Sequence, residues 1–97
     1  MIGSITLDQE RAARKSDDPR IRGLAEAYDA AGVAYGEAAA HQCSVIWKAV
    51  ELRKRGNTRE ADAMEPAVQA AIDRKIALQD ACDAAWDDLV RSIIKEG

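Results

Sequence analysis

Carboxylates recur at helical spacing late in the chain. Asp80, Asp83 and Asp87 stand three and four residues apart, with Asp73 one heptad before Asp80 and Asp88 beside Asp87. Paired carboxylates perform acid–base chemistry when a cleft drives their pKa values apart. A helix exterior offers no such cleft, so these residues read as a solvated acidic face on which a partner could dock. Glu37 and His41 form a second constellation, four residues apart on one helix face, a spacing that can bind a metal. The pair supplies two ligands only. Cys43, two positions on, points about 160° away from His41 on an α-helix. The Glu-x-x-His pairing of di-iron bundles is absent, and His41, the only histidine, reads as a surface or bundle-face residue. A cysteine nucleophile needs a base beside it. Neither Cys43 nor Cys82 has one by this reading, and both fit the role of small buried apolar residues. No strand is predicted, so there is no Gly-rich phosphate loop following one. No catalytic residue, metal ligand or cofactor is assigned, and the chain is not expected to be an enzyme.

The elements that carry these residues are all helical. Thr6-x-x-Gln9 reads as a capping box, in which a hydroxyl and an amide satisfy free backbone N–H groups. A short helix over about 7–15 follows, with Ile5, Leu7, Ala12 and Ala13 as its apolar side. Ser16-Asp17-Asp18-Pro19 is a break and restart, with Asp18 as N-cap and Pro19 in the first helical position, where its missing N–H costs nothing. From there apolar residues alternate in steps of three and four: Ile21, Leu24, Tyr28, Ala31, Tyr35, Ala38, then polar Gln42, then Val45, Ala49 and Leu52. That is a heptad seam. Lys54-Arg55-Gly56 closes the helix, basic residues complementing its dipole and glycine forming the C-cap. It should be roughly 55 Å long. Asn57-x-x-Glu60 reads as the capping pair of the next helix, whose seam is Ala61, Met64, Val68, Ala71, Lys75, Leu78, Cys82, Ala85 and Leu89. A parallel stripe carries Ile72, Ile76, Trp86, Val90 and Ile93. Pro66 should kink or break this segment, leaving a short helix near 58–64 and a main one over 66–95.

The fold class is therefore all-α: a long antiparallel helical hairpin of helices about 19–55 and 58/66–95, plus a short N-terminal helix. Two long segments joined by a very short turn must lie antiparallel. Facing residues then have numbers summing to about 113, by counting outward from the turn. Trp86 is expected against Ala27 and Tyr28, Tyr35 against Leu78, and Trp47 against Pro66. Cys43 and Cys82 fall roughly 17 Å apart along the axis, too far for a disulfide.

Ninety-seven residues make one helical domain, 1–97. The 47% hydrophobic content includes much alanine and no phenylalanine, so the core is thin and favours help from a partner or a second copy. No apolar run approaches the ~20 residues that span a bilayer. Met1–Thr6 lacks the basic start and apolar stretch of a secretion signal. The expected location is the cytoplasm, or a host cytoplasm if the gene is phage-borne. Net charge is −3, which makes the whole molecule no obvious nucleic-acid binder.

Three surfaces stand out. Asp73, Asp80, Asp83, Asp87 and Asp88 form the acidic one. Lys48, Arg53, Lys54, Arg55 and Arg59 form a basic hairpin tip able to contact a partner or nucleic acid. Gly32, Gly36, Ala39 and Ala40 form a small-residue face, at about 1 kcal/mol for each internal glycine. Either the N-terminal helix or a second chain should lie on it. From Glu60 to Val90 eight acids stand against Arg74 and Lys75, and from Gly23 to Trp47 there are three acids and no base. Complementary fields of this kind raise association rates and select partners.

In size, single-domain build, acidic balance and lack of an active site, the chain resembles the small helical anti-CRISPR proteins of phages and mobile elements. No motif assigns a subfamily, and no residue roles carry over. The resemblance implies a non-enzymatic inhibitor that docks on a larger protein or ribonucleoprotein complex, a CRISPR effector, and blocks DNA recognition or nuclease recruitment. Its acidic face would occupy a basic nucleic-acid channel, or its basic tip would contact nucleic acid there. The alternatives are a homodimeric coiled-coil scaffold or phage structural or accessory protein, and a bundle that sequesters a nucleotide through the tip arginines.

Overall fold

The computed structural model describes residues 5–96. Four helices follow one another: α1 (Leu7–Arg14), α2 (Pro19–Lys54), α3 (Thr58–Ala63) and α4 (Glu65–Glu96). No strand occurs among the described residues. The two long helices, α2 and α4, are the arms of the expected hairpin.

Local chemistry explains most of the boundaries. The Thr6 hydroxyl accepts from the Gln9 N–H at 3.1 Å, and the Thr6 N–H donates to Gln9 Oε1 at 2.8 Å, so the capping box opens α1 as expected. Asp18 Oδ1 accepts the Arg20 N–H at 2.9 Å just ahead of Pro19. At the far end of α2 the Asn57 N–H reaches the Leu52 carbonyl at 2.8 Å and the Gly56 N–H reaches Arg53 at 3.1 Å. These are the paired bonds of a Schellman closure. Gly56 has φ +82°, a left-handed conformation that a Cβ disfavours by about 1 kcal/mol or slightly more. Gly56→Ala should therefore lower stability by about 1 kcal/mol, seen as a lower urea midpoint at unchanged m-value. An unchanged midpoint would count against this closure.

In the second arm one expectation changes and another is met. Asn57 makes no side-chain cap bond: its φ −85° and ψ 58° are not the extended backbone that aims a cap side chain at the N–H groups of the first turn. Its carbonyl accepts the first helical bond, from the Ala61 N–H at 3.0 Å. Pro66 marks a break. α3 closes with the Met64 N–H on the Ala61 carbonyl at 3.1 Å, and α4 begins at Glu65. Pro66 thus falls in a first turn, where no N–H is required.

The chain divides into two compact units, Met1–Val33 with Asp80–Gly97, and Ala34–Gln79. The first, the terminal unit, is centred on buried Ala13, Ala25 and Leu89, against which Ile5, Ile21, Leu24, Tyr28 and Ile93 pack. Leu89 and Val90 are its fully buried large side chains. The Tyr28 and Trp86 rings meet at 5.1 Å between centroids, the pairing that the hairpin register predicts. α1 packs through Ala13. Leu7 is 59% exposed and Ala12 is exposed, contrary to expectation, because each lies about 100–120° round the helix from Ala13. An ion-pair clamp holds α1 to α2: the Arg14 guanidinium bonds both Asp29 oxygens at 2.8 Å and Glu10 at 2.9 Å. Those bonds, to Asp29 first, raise the Arg14 pKa further. Arg14 in turn holds the Asp29 carboxyl below its ordinary value. Burial raises the Tyr28 pKa.

The second, the tip unit, has four buried residues, Ala38, Ala49, Ala61 and Ala71. Around them Tyr35, Gln42, Val45, Leu52, Met64, Val68, Lys75 and Leu78 are half-buried. All of these are seam positions read from the sequence. Trp47 departs from expectation. It does not fill space at Pro66 but is 62% exposed, with the Lys54 ammonium 5.5 Å from its ring. The cause is angular: Trp47 stands midway between the seam residues Val45 and Ala49, about 160° from each. Cys43 is likewise exposed, and Cys82 half-buried.

Candidate functional site

The acidic residues all lie on α4. In the terminal unit Asp80, Asp83 and Asp88 are exposed and Asp87 is half-buried. Steps of three and four place Asp80, Asp83 and Asp87 on one face over two turns. No cation of the chain pairs with them among the described residues. Elsewhere five acids have ion pairs, whereas exposed Asp8, Asp17, Glu26, Glu37 and Glu60 have none among the described residues. Arg14 takes Glu10 and Asp29, Arg53 takes Asp62 and Glu65, each at 3.1 Å, and Lys54 stands 3.8 Å from Glu51. Asp73, in the tip unit, is exposed and accepts from Gln69 Nε2 at 2.9 Å.

The basic tip divides into two kinds of residue. Lys48, Arg53, Lys54, Arg55 and Arg59 are all exposed. Arg53 bonds Asp62 and Glu65, which ties the end of α2 to α3 and to the start of α4. Lys54 is shared between Glu51 and the Trp47 ring. That leaves Lys48, Arg55 and Arg59 as the cations of the tip without an ion pair among the described residues.

On the small-residue face, Gly32, Gly36 and Ala40 are exposed and Ala39 is half-buried. A Cβ built on Gly32 or Gly36 would meet nothing within 4 Å. α1 covers Ala25, which is 1% exposed, but within the same unit it does not reach Gly32.

Glu37 and His41 line an open groove of about 320 Å³ in the tip unit, together with Ala38 and Arg74. Arg74 brings a fixed positive charge to the only two potential ligands, which opposes a divalent cation there. No group of three or more His, Cys, Asp and Glu side chains able to hold a metal occurs among the described residues.

Sequence reasoning missed two features. The Arg14–Asp29 clamp spans 15 positions and carries no periodic signal. Only its Glu10–Arg14 half has the i, i+4 spacing that could have revealed it. The outward turn of Trp47, Cys43 and Val50 was legible in principle, because these three also fall on a three–four spacing. Among the described residues no helix is long and apolar enough to cross a membrane. Compared with known protein families, curated proteins and solved structures, the chain matches none.

Proposed function

We propose that this chain is a non-catalytic docking protein that binds a basic surface of a larger assembly through the Asp80, Asp83 and Asp87 face of α4. One feature carries the reading. Three carboxylates share one helix face over two turns, Asp80 and Asp83 exposed and Asp87 half-buried, and none of them has an ion pair among the described residues. Like charges at i, i+3 and i, i+4 cost a helix a few tenths of a kcal/mol per pair. A positively charged partner turns that cost into attraction and speeds encounter. The narrower form is an inhibitor of a CRISPR effector, in which the face occupies a basic channel otherwise filled by DNA.

The triple substitution D80K/D83K/D87K tests both forms. The wild-type chain, added to a guide-loaded effector, is expected to abolish binding of its DNA target, and the triple variant to restore it. Unaffected DNA binding with the wild-type chain removes the inhibitor form. The wider form requires a purified partner, retained by the wild-type chain at physiological salt, that binds the triple variant at least tenfold more weakly. Equal affinity of both chains for that partner removes the acidic face as the site.

A further inference from the structure

Within the tip unit, α2 carries a second heptad seam on its outer side: Gly36, Ala40, Cys43, Trp47 and Val50, in steps of four, three, four and three. All five residues are uncharged and all are exposed, Trp47 at 62% and Val50 at 38%. A three–four repeat of this kind is the pattern of a helix that packs lengthwise on another helix. We propose that this seam is occupied by the same seam of a second copy of the chain, the two α2 helices running antiparallel about a two-fold axis.

Three observations select that occupant. First, the seam is complementary in size to itself when reversed. Its N-terminal half is small (Gly36, Ala40) and its C-terminal half is large (Trp47, Val50). Antiparallel pairing with residue numbers summing to 83 sets each Trp47 against the partner copy's Gly36, and each Cys43 against the partner copy's Ala40. Large residues alternate with small ones across a well-packed interface, and an isologous contact repeats each such pair twice. A parallel pairing in register would set indole on indole and leave a gap at the glycines.

Second, nothing inside the chain accounts for Gly36. A glycine in a helix interior costs about 1 kcal/mol relative to alanine, yet a Cβ there would touch nothing within 4 Å. A hole that receives an indole supplies the missing reason. Third, charge favours the antiparallel arrangement. Glu37 and Lys48 lie on the same flank of the seam, and reversal brings each Lys48 beside the partner copy's Glu37. The parallel arrangement would instead stack two copies of the basic end, Lys48, Arg53, Lys54 and Arg55. The tip unit also has reason to associate: its buried positions are all alanine, while Trp47, Val50 and Ile76 are exposed. The seam spans about 20 Å of helix, an interface at the small end of specific ones, so dissociation near 10 µM, on the order of other small interfaces, is expected. The inference does not depend on the acidic face of α4.

The test is sedimentation equilibrium of the full chain under reducing conditions, from about 1 to 500 µM, a range that brackets the expected dissociation constant. The wild-type chain should pass from monomer to dimer, and Trp47→Glu should weaken the dimer at least tenfold while leaving helicity and Tm of the dilute protomer unchanged. Gly36→Leu should also weaken the dimer at least tenfold by filling the hole, yet raise protomer stability, because leucine is the better helix former and its Cβ meets nothing. Orientation is read with V50C in a background where Cys43 and Cys82 are replaced by alanine. Spin labels at that position should lie roughly 25 Å apart along the axis, seventeen residues of helical rise, and air oxidation should not link the two chains. A chain that stays monomeric at every concentration overturns the proposal, as does a dimer indifferent to both Trp47→Glu and Gly36→Leu. So does rapid V50C disulfide formation, or a strictly monomeric chain whose seam binds a different protein.

Discussion

Leu89→Ala should lower the stability of the terminal unit by about 3–5 kcal/mol, the upper range for a leucine removed from a closed core. Leu89 is 0% exposed and shares its cluster with two alanines, Ala13 and Ala25. The two alanines cannot extend into the space, so the cavity cost adds to the lost transfer energy; relaxation of Ile21, Leu24 or Ile93 into it moves the loss toward the lower end of that range. For a chain of this size 1 kcal/mol corresponds to about 4–8 °C in Tm, and a fall of more than 10 °C is expected in a thermal melt followed by circular dichroism. Leu7→Ala is the matching control. Leu7 is 59% exposed, and its truncation should stay within about 0.5 kcal/mol. Equal effects of the two substitutions would mean that α1 does not pack through Ala13 as described.

The two tryptophans should behave oppositely. Trp86 is half-buried and meets Tyr28 with ring centroids 5.1 Å apart and planes tilted by 49°. Trp86→Ala should cost about 3 kcal/mol, the low end for a core tryptophan because part of the ring already meets water. It should also relax the raised pKa of Tyr28 toward its ordinary value, since burial is the main cause of the rise. Tyr28 favours the folded state while both states are neutral, and that contribution is lost as pH rises through the folded-state value. The wild-type chain should therefore weaken at strongly alkaline pH, and Trp86→Ala should flatten that dependence. Trp47→Ala, at protein concentrations below association, should change stability by less than about 0.5 kcal/mol. Acrylamide should quench Trp47 more readily than Trp86. A large loss of stability with Trp47→Ala in the dilute protomer would place that indole in the fold after all.

Much of this protein follows from its sequence because the signals are local or periodic. Thr6 and Gln9, Asp18 and Pro19, and Gly56 act within one turn of their own position, and each does in the structure what its chemistry requires. The inner heptads of α2 and α4 likewise state which face is covered. The register survives because the turn at Gly56 is too short to allow slippage, and the meeting of Tyr28 with Trp86 follows from counting residues outward from it. Asn57 fails because it also closes α2: its N–H is held by the Leu52 carbonyl, and its backbone is not the extended one that aims a cap side chain into the next helix.

Tertiary structure alone decided how far α1 reaches and which large side chains outside the seams find cover. Trp47 is the clearest case. Its size and its place opposite Pro66 argue for burial, yet residues two positions from a seam point away from it, and Val45 and Ala49 take the inward places. The reach of α1 was equally hidden, because it depends on Arg14 finding Asp29 across a loop, and a pair 15 residues apart leaves no repeat to read. Where that clamp holds, Ala25 is covered; beyond it Gly32 and Gly36 stay open. The sequence by itself determined the helices, their caps and the pairing of the hairpin. Which surfaces remain exposed for partners emerged only from three-dimensional packing, because exposure depends on contacts between residues distant in the chain.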